Sequence, residues 1–217
     1  MTRLQVMCVA FTALLGLVPS FALSQQSQRF EVNGSKLFID LDLNYYEDDW
    51  LGMDERSDYK VVIGLLFENP EIDTVVLTGL GGSSFQSLLI ARALHERGLA
   101  TVARDECVSA CAVMFLGGVQ RTIAKGGSLG FHRSKWNPIN AKEVFDEWKE
   151  YQGWTNEFIF AIWLNKEGQI DAKDVLELSL DHGVSPRAVV KMLSADSDDI
   201  WRPTMSEMRE YKIITSQ

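Results

Sequence analysis

Val75-Val76-Leu77 is a continuous apolar run that stops at Gly79-Leu80-Gly81-Gly82, and no other stretch constrains the fold as tightly. Adjacent side chains of a strand point to opposite faces, so an unbroken apolar run requires cover on both sides, as in the interior of a parallel sheet. The glycines end this strand, Ser83 to Arg97 takes up a helical period with Gly98 as its stop, and Leu99 to Ala103 is a second short apolar strand. Cys107 to Leu116 then reads as a helix of small residues ending at Gly117-Gly118. Strand, turn and helix therefore occur twice in succession. That alternation predicts βαβ crossovers and an α/β sheet, with both turns facing one edge.

The flanks are consistent with one domain. Phe30 to Leu43 alternates as a hairpin turning at Asn33-Gly34, and a helical stripe through Tyr59, Val62, Leu65 and Leu66 is halted by Asn69-Pro70. Between them, Tyr45 to Met53 carries Glu47-Asp48-Asp49. It reads as a surface loop rather than a cation site, because three sequential acids rarely converge as ligands. Beyond His132 the chain is mainly helical, and Val144, Trp148, Tyr151, Thr155, Phe158 and Ile162 form a stripe at spacings of three and four, suited to core or subunit contact. Asp171 to Leu180 makes another helix, Ser185-Pro186 opens one, and Thr204 with Glu207 forms a capping box.

Arg3 precedes an apolar run from Val6 to Val18 and then Pro19-Ser20-Phe21-Ala22. We expect residues 1–22 to be a signal peptide cleaved after Ala22 and the product to be periplasmic or secreted; an uncleaved anchor is the alternative. The run is shorter than the roughly 20 residues of a membrane span. Residues 23–217 then have the length of a single domain. A formal charge of −9 without any basic block argues against nucleic acid as a partner. Of the three cysteines, Cys8 leaves with the leader, and Cys107 and Cys111 remain. One helical turn brings such a pair to about 6 Å, so a disulfide is open to them, as is packing as two free thiols. Cys and His partners at zinc spacing are missing, so no metal site is expected.

Three positions have the chemistry of a hydrolytic site. Ser109, in Cys107-Val108-Ser109-Ala110-Cys111, stands where a strand's loop meets a helix of small residues. It either caps that helix or presents a nucleophilic hydroxyl beside free backbone N–H groups. Gly79 to Gly82 is either a tight turn or a segment whose missing Cβ atoms let N–H groups approach an oxyanion; it lacks the pattern of a dinucleotide or phosphate loop. His132 follows Gly127-Ser128-Leu129-Gly130-Phe131, a short segment that can deliver a base to a nucleophile on another loop. The other two histidines, His95 and His182, look ordinary.

The ordered set Gly81-Gly82, Ser109 within Ser-Ala-Cys-Ala, Gly117-Gly118, Arg121 and Leu129-Gly130-Phe131-His132 resembles exported relatives of the Clp protease proteolytic subunit and signal peptide peptidase A. The resemblance runs from about Leu37 to Ile214 and is strongest between Val75 and His132. It implies the ClpP/crotonase-like fold, with stacked ββα units, a mostly parallel sheet and a helical C-terminal region. It also implies a serine peptidase or hydrolase without cofactors. Ser109 would be the nucleophile, His132 the base, and the amides of Gly82 and Ala110 the oxyanion donors, with Gly81 in the substrate-binding strand. Matching Glu210 to Ile214 to the family's ending places Asp196 as the acid, with Asp198 and Asp199 beside it. The implied substrate is an unfolded peptide or a small acyl or ester compound, and the implied assembly a homo-oligomer. The chain departs from the family in having Gly79-Leu80 where a serine-proline precedes the glycine pair. It carries no ATPase motif, and export removes it from ATP. Two other readings remain: a binding protein that retains the groove without chemistry, and a crotonase-type acyl-thioester enzyme. Export opposes the latter because coenzyme A is cytoplasmic.

Overall fold

A computed structural model of the protein describes residues 29–43, 57–136 and 138–215. The expected signal segment and the acidic loop at Tyr45 to Met53 lie outside these residues. Among the described residues no helix is long and apolar enough to cross a membrane.

Strand β4 (Ala100–Val108) organises the sheet by changing partners along its length. Residues 100–103 pair in parallel with β3 (Thr74–Gly79) on one side and β5 (Gln120–Ile123) on the other; farther on, Cys107 still pairs with Gly79 of β3, while Glu106 to Val108 pair with β6 (Ser128–Gly130) in place of β5. The change falls at Asp105, whose φ is 54°, opposite a register shift in β3 between Leu77 and Gly79. Such an irregularity bends a strand and increases its local twist. β1 (Phe30–Asn33) pairs antiparallel with β2 (Lys36–Asp40), and β2 pairs in parallel with β3, giving the order β1-β2-β3-β4-β5. The result is an α/β fold with a mostly parallel sheet.

Each parallel step is made by a helix: α1 (Asp58–Glu68), α2 (Ser84–Glu96) and α3 (Ala110–Leu116). Val75, Val76 and Leu77 are all buried, as a strand covered on both faces requires. Leu37, Ile39, Ile90, Leu94, Phe115 and Leu129 join Val75 and Leu77 in one core. Asn33 pairs with Lys36, so the hairpin turns on Gly34-Ser35, one residue later than its sequence suggests, with Gly34 at φ 58°. A second difference matters more. β4 continues to Val108, so Cys107 and Val108 belong to a strand and α3 begins only at Ala110. The ladder to β6 extends the strand, and that partner is about twenty residues away in sequence.

The C-terminal region is helical: α4 (Pro138–Gln152), α5 (Glu157–Asp181), α6 (Pro186–Ser194) and α7 (Met205–Glu210). The expected aromatic stripe is not continuous. It breaks at Gly153, φ 69°, and Asn156 restarts the helix by accepting from the N–H groups of Phe158 and Ile159. Val144, Trp154 and Phe160 form a small second core, while Tyr151, Phe158 and Ile162 are exposed. The helix expected at Asp171 to Leu180 is the second half of α5. Ser185 and the Thr204–Glu207 capping box act as their sequences indicate, each cap contributing about 1 kcal/mol. The buried Arg121 guanidinium donates to the carbonyl oxygens of Gly118, His182, Lys212 and Ile213, tying the C-terminal segment to the sheet. Burial lowers its pKa to about 10.

Candidate active site

Ser109 joins β4 to α3 with φ 59° and ψ −123°, a conformation that L-residues rarely adopt and that costs about 1–3 kcal/mol. Its side chain makes no capping bond to α3. A serine on a strained strand-to-helix turn, with its hydroxyl withheld from the helix, has the geometry of a nucleophile elbow. Local structure holds the strain. Ser109 N–H donates to Gly130 O at 2.9 Å, and Ser109 O accepts from Val113 N–H at 3.1 Å. A disulfide joins Cys107 and Cys111, both fully buried, with Cα atoms 5.2 Å apart. It does not follow one helical turn, as the spacing suggests; it spans the elbow from the strand end to the first turn of α3.

The glycine segment closes over this elbow. Gly79, Gly81 and Gly82 have φ of 119°, 124° and 158°, reached easily only without a Cβ. A Cβ on Gly81 would lie 2.8 Å from Ser109 Cβ, 3.1 Å from Ser109 Oγ and 3.2 Å from Ala110 N. The segment is held from its other side, because Asp42 Oδ1 accepts from Leu80 N–H at 2.7 Å. Among the described residues, the N–H groups of Gly81, Gly82 and Ala110 have no hydrogen-bond acceptor.

His132 arrives on the adjacent strand. Val108 pairs with Gly130, and His132 lies two residues beyond, half-buried, after Phe131 has exchanged 2.9 Å hydrogen bonds with Trp201. Its Nδ1 is 2.7 Å from Arg133 O. A carbonyl oxygen only accepts, so Nδ1 carries the hydrogen in this contact, and in the neutral ring the lone pair is on Nε2. Among the described residues no hydrogen bond joins Ser109 Oγ to His132.

Asp196 is not bonded to His132. Its carboxylate accepts from Ser197 N–H at 2.7 Å and forms an ion pair with the Arg133 guanidinium. The Ser197 N–H, with Arg133 and Lys135 nearby, holds it below the usual carboxylate range. Asp198 lies 3.8 Å from Lys135, and Asp199 bonds through its backbone to Asp196. The structure thus brings Gly81, Ser109, Ala110 and the Cys107–Cys111 bond together, places His132 two residues beyond Gly130, which accepts from Ser109 N–H, and turns the three acids to basic and backbone partners. Arg133 contacts His132 through its carbonyl, and Asp42, just after β2, holds Leu80 just after β3; no sequence pattern marks either contact.

Among the described residues no group of three or more His, Cys, Asp or Glu side chains is placed to hold a metal ion. A depression of about 480 Å³ is lined by Phe145, Lys149, Trp154 and other residues of the α4–α5 hairpin, and by none of the site residues.

No family model matches the chain, and no curated protein matches it. Solved structures similar to it include a candidate enoyl-CoA hydratase from Streptomyces coelicolor A3(2), 14% identical, covering 96% of this chain and 71% of that one, with a TM-score of 0.47. A candidate enoyl-CoA hydratase/isomerase family protein from Hyphomonas neptunium is 11% identical over 86% of this chain and 67% of its own, at 0.44. A Pseudomonas aeruginosa protein is 14% identical over 85% and 74%, at 0.42.

Proposed function

We propose that this protein is a serine hydrolase that cleaves a peptide or ester bond through an acyl-enzyme. The observation that carries the reading is Ser109, held at φ 59° with its hydroxyl uncapped and Gly81 pressed against it. A serine hydroxyl alone is too weak a nucleophile and needs a base and a site for the developing negative charge. In this reading Ser109 Oγ attacks the carbonyl carbon and its proton passes to His132 Nε2, the nitrogen left with a lone pair by the Nδ1 contact. The oxyanion accepts from the unpartnered N–H groups of Gly82 and Ala110. Collapse breaks the bond to the leaving group, which takes the proton from His132. Water, deprotonated by His132, then attacks the acyl carbon; the bond to Ser109 Oγ breaks, the acid leaves, and His132 returns the proton to Ser109 Oγ. The Ser109–His132 hydrogen bond forms in the substrate complex, since such bonds are often long in free enzymes. The expected export of the chain supports an extracytoplasmic peptide or ester as the substrate.

A second reading retains the backbone donors and dispenses with the nucleophile: a crotonase-type enzyme whose amides polarise an acyl thioester. Two of the similar structures are named for enoyl-CoA chemistry. Ser109 separates the readings, because only the hydrolase requires its hydroxyl. The test is reaction of purified mature protein with a fluorophosphonate, read by intact mass for wild type, Ser109→Ala and His132→Ala. One adduct on wild type, absent from both variants, is expected. A folded wild type without adduct excludes the hydrolase and leaves the acyl-thioester reading or a binding protein without chemistry.

A further inference from the structure

His132 is fixed from both sides by the chain ending at Trp201. Before it, Phe131 pairs with Trp201; after it, Arg133 N–H donates to Ala195 O at 3.0 Å. The Arg133 side chain returns to the same segment, donating to Ser194 O at 3.3 Å and pairing with Asp196. The carbonyl of this arginine accepts from His132 Nδ1. Asp196 is itself anchored by Ser197 N–H. One chain of contacts therefore leads from the Asp196 carboxylate to the Arg133 guanidinium, through Arg133's own backbone to its carbonyl, and from there to the imidazole.

We infer that Asp196 is a positioning residue that acts through Arg133, and that the Arg133 carbonyl, in place of a carboxylate, orients the base. The inference rests on the hydrolase reading. The arrangement differs in kind from a triad. A carboxylate bonded to Nδ1 both fixes the tautomer and stabilises the imidazolium by its charge, and its replacement costs about 10⁴ in kcat in the serine-protease template. A carbonyl set by an ion pair fixes only the ring's orientation and tautomer. Loss of either member of that pair lets the ring drift, which costs about 10- to 100-fold. Because the two residues act as one unit, their losses do not multiply.

The test is the second-order rate of fluorophosphonate labelling across pH 5–9 for wild type, Asp196→Ala, Arg133→Ala, Arg133→Lys and the double alanine variant, each checked for a cooperative melt. Each single alanine variant is expected to lose about 10- to 100-fold. The double variant should be no slower than the slower single, and Arg133→Lys, which keeps an ion pair with Asp196, should recover most of the rate. The pH midpoint for labelling should be alike in wild type and the double variant, because the deleted pair is neutral overall. A loss near 10⁴-fold in Asp196→Ala, multiplied losses in the double variant, or a midpoint lowered by about one unit there would show direct pairing of carboxylate and histidine and overturn the inference. Wild-type rates in both single variants overturn it as well. If Arg133→Ala does not fold, the remaining two variants still decide: a near-wild-type rate for Arg133→Lys with a loss of about 10- to 100-fold in Asp196→Ala is expected, and a loss near about 10⁴-fold or a wild-type rate in Asp196→Ala overturns the inference. Absence of labelling in folded wild type overturns the hydrolase reading and this inference with it, whereas labelled wild type with any contrary variant result overturns the inference alone.

Discussion

Gly81 and Ser109 are packed so closely that a Cβ on the glycine would stand 2.8 Å from the serine Cβ, a separation that real side chains do not tolerate. The glycine is therefore required by the elbow beneath it as well as by its own φ of 124°. Gly81→Ala should reduce fluorophosphonate labelling at least about 100-fold under the proposed function, because relief of the clash moves either Ser109 or the strand that carries the Gly82 amide. Gly98→Ala is the control. It also has positive φ, at 70°, but its Cβ would meet nothing within 4 Å. Both substitutions should lower stability by about 1–3 kcal/mol through backbone strain, and only Gly81→Ala should affect labelling. Equal labelling by the two variants would remove Gly81 from the site.

Ser109 itself is a point where stability and activity should oppose each other. Glycine adopts φ 59°, ψ −123° without the penalty of a Cβ. Ser109→Gly should therefore raise unfolding free energy by about 1 kcal/mol in urea titration while abolishing labelling, whereas Ser109→Ala keeps the Cβ and should leave stability nearly unchanged. A destabilised glycine variant would mean that the elbow is not strained, and the functional argument from its conformation would fall with it.

The Cys107–Cys111 bond closes a loop with a sequence separation of only 4. Chain-entropy arithmetic for so short a loop gives about 2 kcal/mol. Cys107→Ala with Cys111→Ala should thus lower stability by about that amount. Because the bond joins the residues on either side of the elbow, labelling of Ser109 should also slow, and the loss should be larger than that of a core substitution at least as destabilising, such as Ile90→Ala, at about 2–5 kcal/mol. Comparison of the two variants at matched fraction folded checks this.

The sequence made some of this legible and hid the rest for identifiable reasons. Val75 to Leu77 and the glycines after them describe a buried strand and its end, because burial on two faces and positive φ are local requirements. The caps at Ser185 and Thr204 are legible for the same reason. Cys107 and Val108 read as helix from the sequence because small residues fit one; the ladder that makes them strand is supplied by Leu129 and Gly130. Asp196 stands where a family ending places an acid, but its charge is engaged by Arg133, a cation adjacent to the histidine in sequence and 63 residues from Asp196. Non-local pairing decides such contacts, and single-sequence patterns do not carry it.

His95 and His182, unremarkable in the sequence, are the clearest instance, and they lead to a pH dependence. Their rings stack with centroids 3.7 Å apart at 10°, one at the end of α2 and the other capping α5. His182 Nδ1 contacts Leu116 O at 2.9 Å, so the hydrogen lies on Nδ1 and any further proton must add at Nε2. Burial lowers the pKa of His182 below its ordinary value of 6.5, and the neighbouring His95 and Arg121 act in the same direction against the raising effects of Leu116 O and Asp181. Between the folded value and 6.5 the unfolded chain therefore binds more protons than the folded one, and stability must increase with pH in that window. Acidification from pH 7.5 to below 6.5 should lower the urea midpoint, with most of the fall below 6.5. His182→Asn, whose amide nitrogen can still donate to Leu116 O, should flatten that part of the curve. An unchanged slope in the variant would assign the pH dependence to another group.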